Sequence, residues 1–307
     1  MIGASLSRRR PVRAAALAAA LVAAVLLALA ARAGRASHDA AGAGSGRAYA
    51  PAHEAAFFDE RTFALAVRDV EARPPQPMPG VRALIIPHHW TAGSLIVGPL
   101  RDLAATRHIR RVILLGPNHT NSGGGTIITS GQPWSTPFGD VAPDTALLDA
   151  LADAGVSVEP DVLTFEHSVA GIVPAIRYYL PDAAVMPLIL KHTTSPADVE
   201  RLAATLAPYP DEETVLISAV DFSHGLSSDE ARARNGESRM LLERMKAEQI
   251  MQVGNEHLDS PAAIAVAIEA ARSAGATSFE LRADSDSSRI APPDGGPVTS
   301  YIVAYYH

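Results

Sequence analysis

From Val81 onward the chain alternates between two hydrophobic periodicities. Short apolar runs rich in β-branched residues predict strands at 81–87, 111–117, 125–130, 184–190, 214–221, 279–284 and 299–306. Between them, apolar residues recur at helical spacing. Helices are expected near 94–107, 143–154, 168–180, 196–207, 228–252 and 261–274. Ser195-Pro196 and Ser260-Pro261 each set a capping side chain before a proline suited to the first turn. Gly155 and Gly275 fall where a helix should end. Strands alternating with helices imply one α/β domain, its central sheet largely parallel and flanked by helices on both faces. No internal repeat or interior linker interrupts it. Residues 54–80, with Pro74, Pro75, Pro77 and Pro79, are expected to drape over that domain as an N-terminal extension.

The first 36 residues follow neither pattern. Arg8-Arg9-Arg10 and Arg13 precede an unbroken Ala/Leu/Val run from Ala14 to Ala31, with small-x-small patterns at Ala28-Leu29-Ala30 and Ala31-Arg32-Ala33. A buried amphipathic helix would carry a polar face, and this run has none. Residues 1–36 are therefore expected to be a signal peptide or a membrane anchor, 37–53 a linker, and 54–307 the folded domain. The expected location is exported: periplasmic, extracellular or membrane-anchored.

Composition narrows the function. The chain has 307 residues, is 48% hydrophobic and 19% charged, and has no cysteine, so neither a disulfide nor a thiolate ligand is available. Formal net charge is −7; without the six arginines of residues 1–36, 20 basic residues stand against 33 acidic ones, a charge of −13. Such an acidic domain is unsuited to nucleic acid, whose binding depends on neutralising phosphates.

The chemistry-bearing residues gather where strands end. Pro87-His88-His89 closes the first strand, Gly116-Pro117-Asn118-His119 the second, and Asp221-Phe222-Ser223-His224 a third. In an open α/β sheet, ligands bind beyond the carboxyl ends of the strands. Converging imidazoles and a carboxylate there predict a metal site, with His88, His119 and either Asp221 or His224 as ligands. Two imidazoles, one carboxylate and open positions suit non-haem Fe(II), and a zinc hydrolase can use the same atoms. Glu166-His167-Ser168 reads equally as a helix start or as a general acid/base, His167, beside the metal. Ser122-Gly123-Gly124-Gly125 lacks the lysine of a phosphate loop and reads as a hinge or a close backbone approach. Asp284-Ser285-Asp286-Ser287-Ser288 reads as a solvated acidic loop. Trp90 and Trp134 suit either the cleft or the core.

Taken together, these motifs resemble the Memo-like family (AmmeMemoRadiSam system protein B in bacteria), which shares its fold with class III extradiol dioxygenases. The resemblance covers about 81–306. It rests on the three strand-end motifs, Trp134-Ser135-Thr136-Pro137-Phe138-Gly139, Glu166-His167-Ser168 and Val185-Met186-Pro187-Leu188-Ile189-Leu190. It implies His88 and His119 as metal ligands and His167 as the acid/base. Some relatives carry a thiolate where this chain has Ser223, which leaves Asp221, ahead of His224, as the third ligand. His89 replaces a small residue found in many relatives and is expected to be an extra ligand or a substrate contact, and Asn118, Glu166 and Ser223 are expected to contact substrate. The implied function is an exported metal-binding protein with a dioxygenase-like iron site, an oxidoreductase acting on a small-molecule or peptide ligand. A non-catalytic metal- or partner-binding module and a zinc-dependent hydrolase are the alternatives. The expected cofactor is Fe(II), with Zn or Cu as substitutes.

Overall fold

The computed structural model describes residues 51–291 and 296–307. The expected signal or anchor (1–36) and linker residues 37–50 lie outside the described residues. Among the described residues, no helix is long and apolar enough to cross a membrane.

Among the described residues ten strands form in chain order: β1 (His53–Glu54), β2 (Ala83–Ile86), β3 (Arg111–Pro117), β4 (Ile127–Thr129), β5 (Trp134–Ser135), β6 (Ser157–Val158), β7 (Ala184–Leu190), β8 (Thr214–Ala219), β9 (Phe279–Asp286) and β10 (Ser300–Tyr306). β1 and β5 make a small parallel pair, and the rest form one eight-stranded sheet in the order β6-β4-β7-β3-β8-β2-β10-β9.

The sheet is mixed, which corrects the expectation of a largely parallel one. Its centre, β7-β3-β8-β2, is parallel. β4 runs antiparallel to β7, and β10 antiparallel to both β2 and β9. Connection length accounts for the difference. A parallel crossover needs a dozen or more residues, usually a helix. The β3–β4 link has no helix, and the β9–β10 link holds only the single turn Ser287–Ile290.

Both faces of the central strands are buried, as the continuous apolar runs require. Leu84, Ile86, Val112, Leu114, Val215 and Ile217 enter one core, and Ala83, Ile85, Ile113, Leu115 and Leu216 enter the other. Helices Gly93–Thr106 and Val173–Tyr179 cover the first face, and Pro196–Leu206 and Pro261–Ser273 the second. Ser195 and Ser260 cap the latter two, as their sequences predict.

Three local expectations give way to tertiary detail. The segment expected to drape carries helix Glu60–Glu71, capped by Asp59. Phe63, Ala66, Val67 and Val70 lie on its buried face, and Phe63 packs against Phe58, Trp90, Phe138 and Tyr178. The helix expected at 228–252 breaks at Met245, whose φ is +52°. The acidic 284–288 segment is not a solvated loop: Asp286 is buried at the end of β9 and accepts a hydrogen bond from the Ser288 amide. Trp134 is buried in the core, and Trp90 is partly buried with its indole N–H donating to the Gly171 carbonyl.

Candidate metal centre

β8 stands between β2 and β3, so the strand ends that carry His88 and His119 are not neighbours. Their rings nevertheless meet across the β8 tip, with centroids 5.0 Å apart. The backbone is shaped for this. At Gly116, a Cβ would meet Ser168 Oγ at 2.7 Å, so only glycine lets the one-turn helix His167–Ala170 seat against β3. That seat brings the His167 ring to 4.1 Å from His119, nearly stacked, and to 5.2 Å from His88.

His88, His119 and His167 can each offer one ring nitrogen within 4.8 Å of the other two. Hydrogen bonds settle which nitrogen two of them present. His88 Nδ1 donates to the Ala219 carbonyl at 3.0 Å. His119 Nδ1 donates to Glu166 Oε1 at 2.7 Å, while Glu166 Oε2 accepts the His119 backbone N–H at 2.9 Å. Both Nε2 atoms are thereby left for a ligand, the arrangement in which an outer partner orients a metal-binding imidazole.

The electrostatics suit a cation. Burial, and then the nearby His119, hold His88 well below the ordinary imidazole range. His167 is lowered by the same two causes. Neutral imidazole is the form that binds metal. Burial alone would raise Glu166, but its bonds to His119 and the Ser168 amide bring it down to about 2, so it stays ionised.

Two further carboxylates line the centre. Asp221 is fully buried; its Oδ1 accepts the His88 backbone N–H at 3.0 Å. Its Oδ2 lies 3.9 Å from His88 Nε2 and 3.6 Å from His89 Nδ1 and has no hydrogen-bond partner among the described residues. Asp259 Oδ2 lies 3.5 Å from His88 Nε2 and 3.8 Å from His119 Nε2, and neither of its carboxylate oxygens has a hydrogen-bond partner among the described residues. Burial raises both carboxyls, and the Asp221 charge pushes Asp259 well up. Orphaned buried oxygens facing imidazole nitrogens fit a bound cation, which would supply the missing partner. Two ligand atoms bonded at about 2.1 Å to a tetrahedral ion lie about 3.4 Å apart, close to the Asp259 separations.

The other expected site residues fall in different surroundings. His89 is half exposed and His224 half-buried, where burial lowers its pKa beside the charges of Asp221 and His89. Asn118 is engaged within its own loop, donating to the Ser122 carbonyl and accepting from the Ser122 amide. Glu166 is held by His119. Ser223 is fully buried, its hydroxyl without a partner among the described residues. The glycine loop makes a close approach: the Glu159 carboxylate accepts the Gly124 and Gly125 amides.

Two residues of the centre escape strand-end reasoning. Asp259 follows no strand; it reaches the site because Leu258 bridges Phe222 and the Asp259 amide donates to the Asp221 carbonyl at 3.1 Å. The usable sequence signal was an acid just before the Ser260-Pro261 helix start. Phe57, in the segment read as draped, places its ring 5.9 Å from that of His167.

Comparison with known proteins gives the family. The family model described as Memo-like protein matches residues 51–305. A MEMO1 family protein of Methanothermobacter thermautotrophicus is 26% identical over 217 residues, covering 66% of this chain and 76% of the relative. One from Aeropyrum pernix is 28% identical, covering 63% and 72%, and one from Pyrobaculum arsenaticum is 28% identical, covering 48% and 56%. An uncharacterized protein of Escherichia coli K12, known from a crystal structure, aligns with a TM-score of 0.47 at 12% identity, over 73% of this chain and 99% of that one. With its family model matched from Pro51 to Tyr305, this chain belongs to the Memo-like family.

Proposed function

We propose that the centre holds a non-haem Fe(II) ion through His88, His119 and Asp259, and that the protein is a dioxygenase-like oxidoreductase. The observation that carries this reading is the Asp259 carboxylate, buried and unpartnered, within 3.8 Å of both free Nε2 atoms. Two imidazoles and one carboxylate with open positions are the donor set of non-haem Fe(II) oxygenases. When bound, such an ion supplies redox chemistry and open coordination positions.

The chain's own residues do the rest. Glu166 fixes the tautomer and orientation of His119 through a 2.7 Å bond. His167 is more open to the cleft than His88 and lies 3.6 Å from the Glu166 carboxylate. Its lowered pKa keeps it neutral and able to take a proton from a substrate hydroxyl. Phe57, 42% exposed with its ring 5.9 Å from that of His167, gives the site an apolar edge suited to a small organic or peptide ligand.

The test is metal analysis of anaerobically purified full-length protein. One iron per chain is expected, lost in His88→Ala and His119→Ala. His167→Ala should keep the iron and lose turnover. Zinc in place of iron would overturn the redox reading in favour of a hydrolase. Iron with no turnover on catechols or other candidate substrates would favour a binding module.

The same proposal includes export, supported by the arginines before the apolar run Ala14–Ala31. Fractionation should find the protein outside the cytoplasm, either released or held at the membrane. Full-length protein soluble in the cytosol would refute it.

A further inference from the structure

We propose that residues 51–57 form a releasable strap at the edge of the metal centre, held shut by a clasp of His53 between Thr164 and Ser130. The strap regulates the centre described above and rests on that reading only for what it covers. The central observation is how little else holds the segment. Of residues 51–57 only His53 is buried, at 1% exposure. Parallel pairing with β5 adds two residue pairs, His53–Trp134 and Glu54–Ser135. Phe58 begins the permanent anchorage, packing on Phe63 and Phe138. Between clasp and anchor lies the exposed Phe57, whose ring faces that of His167 at 5.9 Å. A buried apolar side chain would hold the strand at any pH; here the buried residue is ionisable.

The hydrogen bonds of the clasp select neutral imidazole. Thr164 Oγ1 donates to the Pro160 carbonyl at 3.3 Å, so it accepts from His53 Nδ1–H at 2.8 Å. Ser130 Oγ accepts the Gln132 amide at 3.0 Å and donates to His53 Nε2 at 2.7 Å. A proton on Nε2 would displace that donated bond. The His53 ring also packs on Trp134, centroids 4.5 Å apart, and its amide donates to the Pro133 carbonyl at 2.8 Å. The surroundings offer little to a cation. β5 and residues 130–133 carry no ionisable side chain, and the helix Pro160–Thr164 carries one, Asp161. Glu54, on the same strand as His53, is exposed. Burial lowers His53 below the ordinary imidazole value, and the Asp161 charge offsets this only in part. Protonation therefore favours the released strap, and the clasp weakens as pH falls below about 6.5.

The competing account is a permanent structural histidine. Because the chain has no cysteine, Glu54→Cys/Ser135→Cys creates a single thiol pair at facing positions of β1 and β5. Facing residues of neighbouring strands lie about 4.8 Å apart, within the range a disulfide spans. Full-length, metal-free protein is followed by hydrogen exchange at the His53 amide, with the intrinsic pH dependence of exchange divided out. Circular dichroism verifies that each variant is folded. From about pH 7.5 to about pH 5.5 the opening of wild type should rise by up to about tenfold, the limit for one proton. His53→Gln should lose that rise, and the oxidised double-cysteine protein should stay closed throughout. At the lower pH, carbethoxylation of His167 should be faster in the reduced double variant than in the oxidised one. No rise in wild type or in the reduced double variant, or a rise of equal size in His53→Gln, would overturn the clasp. Equal labelling of His167 in oxidised and reduced protein would overturn the strap as a cover. None of these readings uses metal. If they hold and metal analysis finds no iron, the strap stands and the iron reading falls. If they fail with iron present, the iron reading stands and the strap falls.

Discussion

Asp259 concentrates the conflict between stability and function in one side chain. Its carboxyl has no hydrogen-bond partner among the described residues; burial raises its pKa, and the Asp221 charge raises it further. A folded pKa above the unfolded one means that its contribution favours the fold at low pH and is lost as pH rises through the folded value. The metal-free protein should therefore lose stability as pH rises through that range. Asp259→Asn keeps the shape, removes the charge and should stabilise the metal-free protein by on the order of 1 kcal/mol, about 2–4 °C in Tm. The same variant should bind metal weakly; a lower metal-free Tm in calorimetry would contradict this account. Glu166 behaves oppositely. Its pKa falls from an ordinary 4.5 to about 2, so its contribution is present above 4.5 and lost as pH falls toward 2. Glu166→Gln should flatten that acid limb and lower metal affinity about 10–100-fold, the usual cost of losing an outer partner of a ligand. At this scale the sequence was readable wherever a ligand closes a strand, as His88 and His119 do. Asp259 was hidden because its place depends on the Leu258–Phe222 bridge, a contact between segments that no local pattern encodes.

At the scale of elements, legibility follows burial. β3 and β7 form over the residues expected, 111–117 and 184–190, because strands buried on both faces write continuous apolar runs. β1, β5 and β6 are two residues each and leave no periodic trace. The segment expected as one helix at 168–180 divides into His167–Ala170 and Val173–Tyr179. Pro174 lies in the first turn of the second piece, where its missing N–H is harmless. That division leaves the first turn free to lean on β3 at Gly116. Gly116→Ala should push this turn outward against Ser168, costing about 1–3 kcal/mol of stability. It should also displace His167 from the His119 ring. Ser168→Ala in the Gly116→Ala background removes the closest contact and should recover part of the loss. Equal denaturation midpoints for the single and double variants would show that the contact at Gly116 does not set the helix position.

For the molecule as a whole, strand order decides where the chemistry gathers. Sequence order suggests that the first two strand ends are neighbours, yet β8 lies between them and brings Asp221 under both imidazoles. The antiparallel margins, β4 on one side and β10 and β9 on the other, confine the parallel ends to the middle of the sheet. The result is a centre in which Asp221 Oδ2 and both Asp259 carboxylate oxygens are buried without donors among the described residues. Such a centre stores unfavourable free energy until a cation arrives, so metal binding and global stability must be linked. An ion that binds only the folded state adds about 2.7 kcal/mol at a free concentration of 100 Kd. For a domain of this size that corresponds to a rise of about 5–10 °C in Tm. Differential scanning calorimetry of full-length protein with and without Zn(II) should show this rise, and chelator should reverse it. In His88→Ala/His119→Ala the rise should be lost. A Tm indifferent to zinc in the wild type would mean that the orphaned oxygens of Asp221 and Asp259 are satisfied by protons or water, and the metal centre would have to be abandoned.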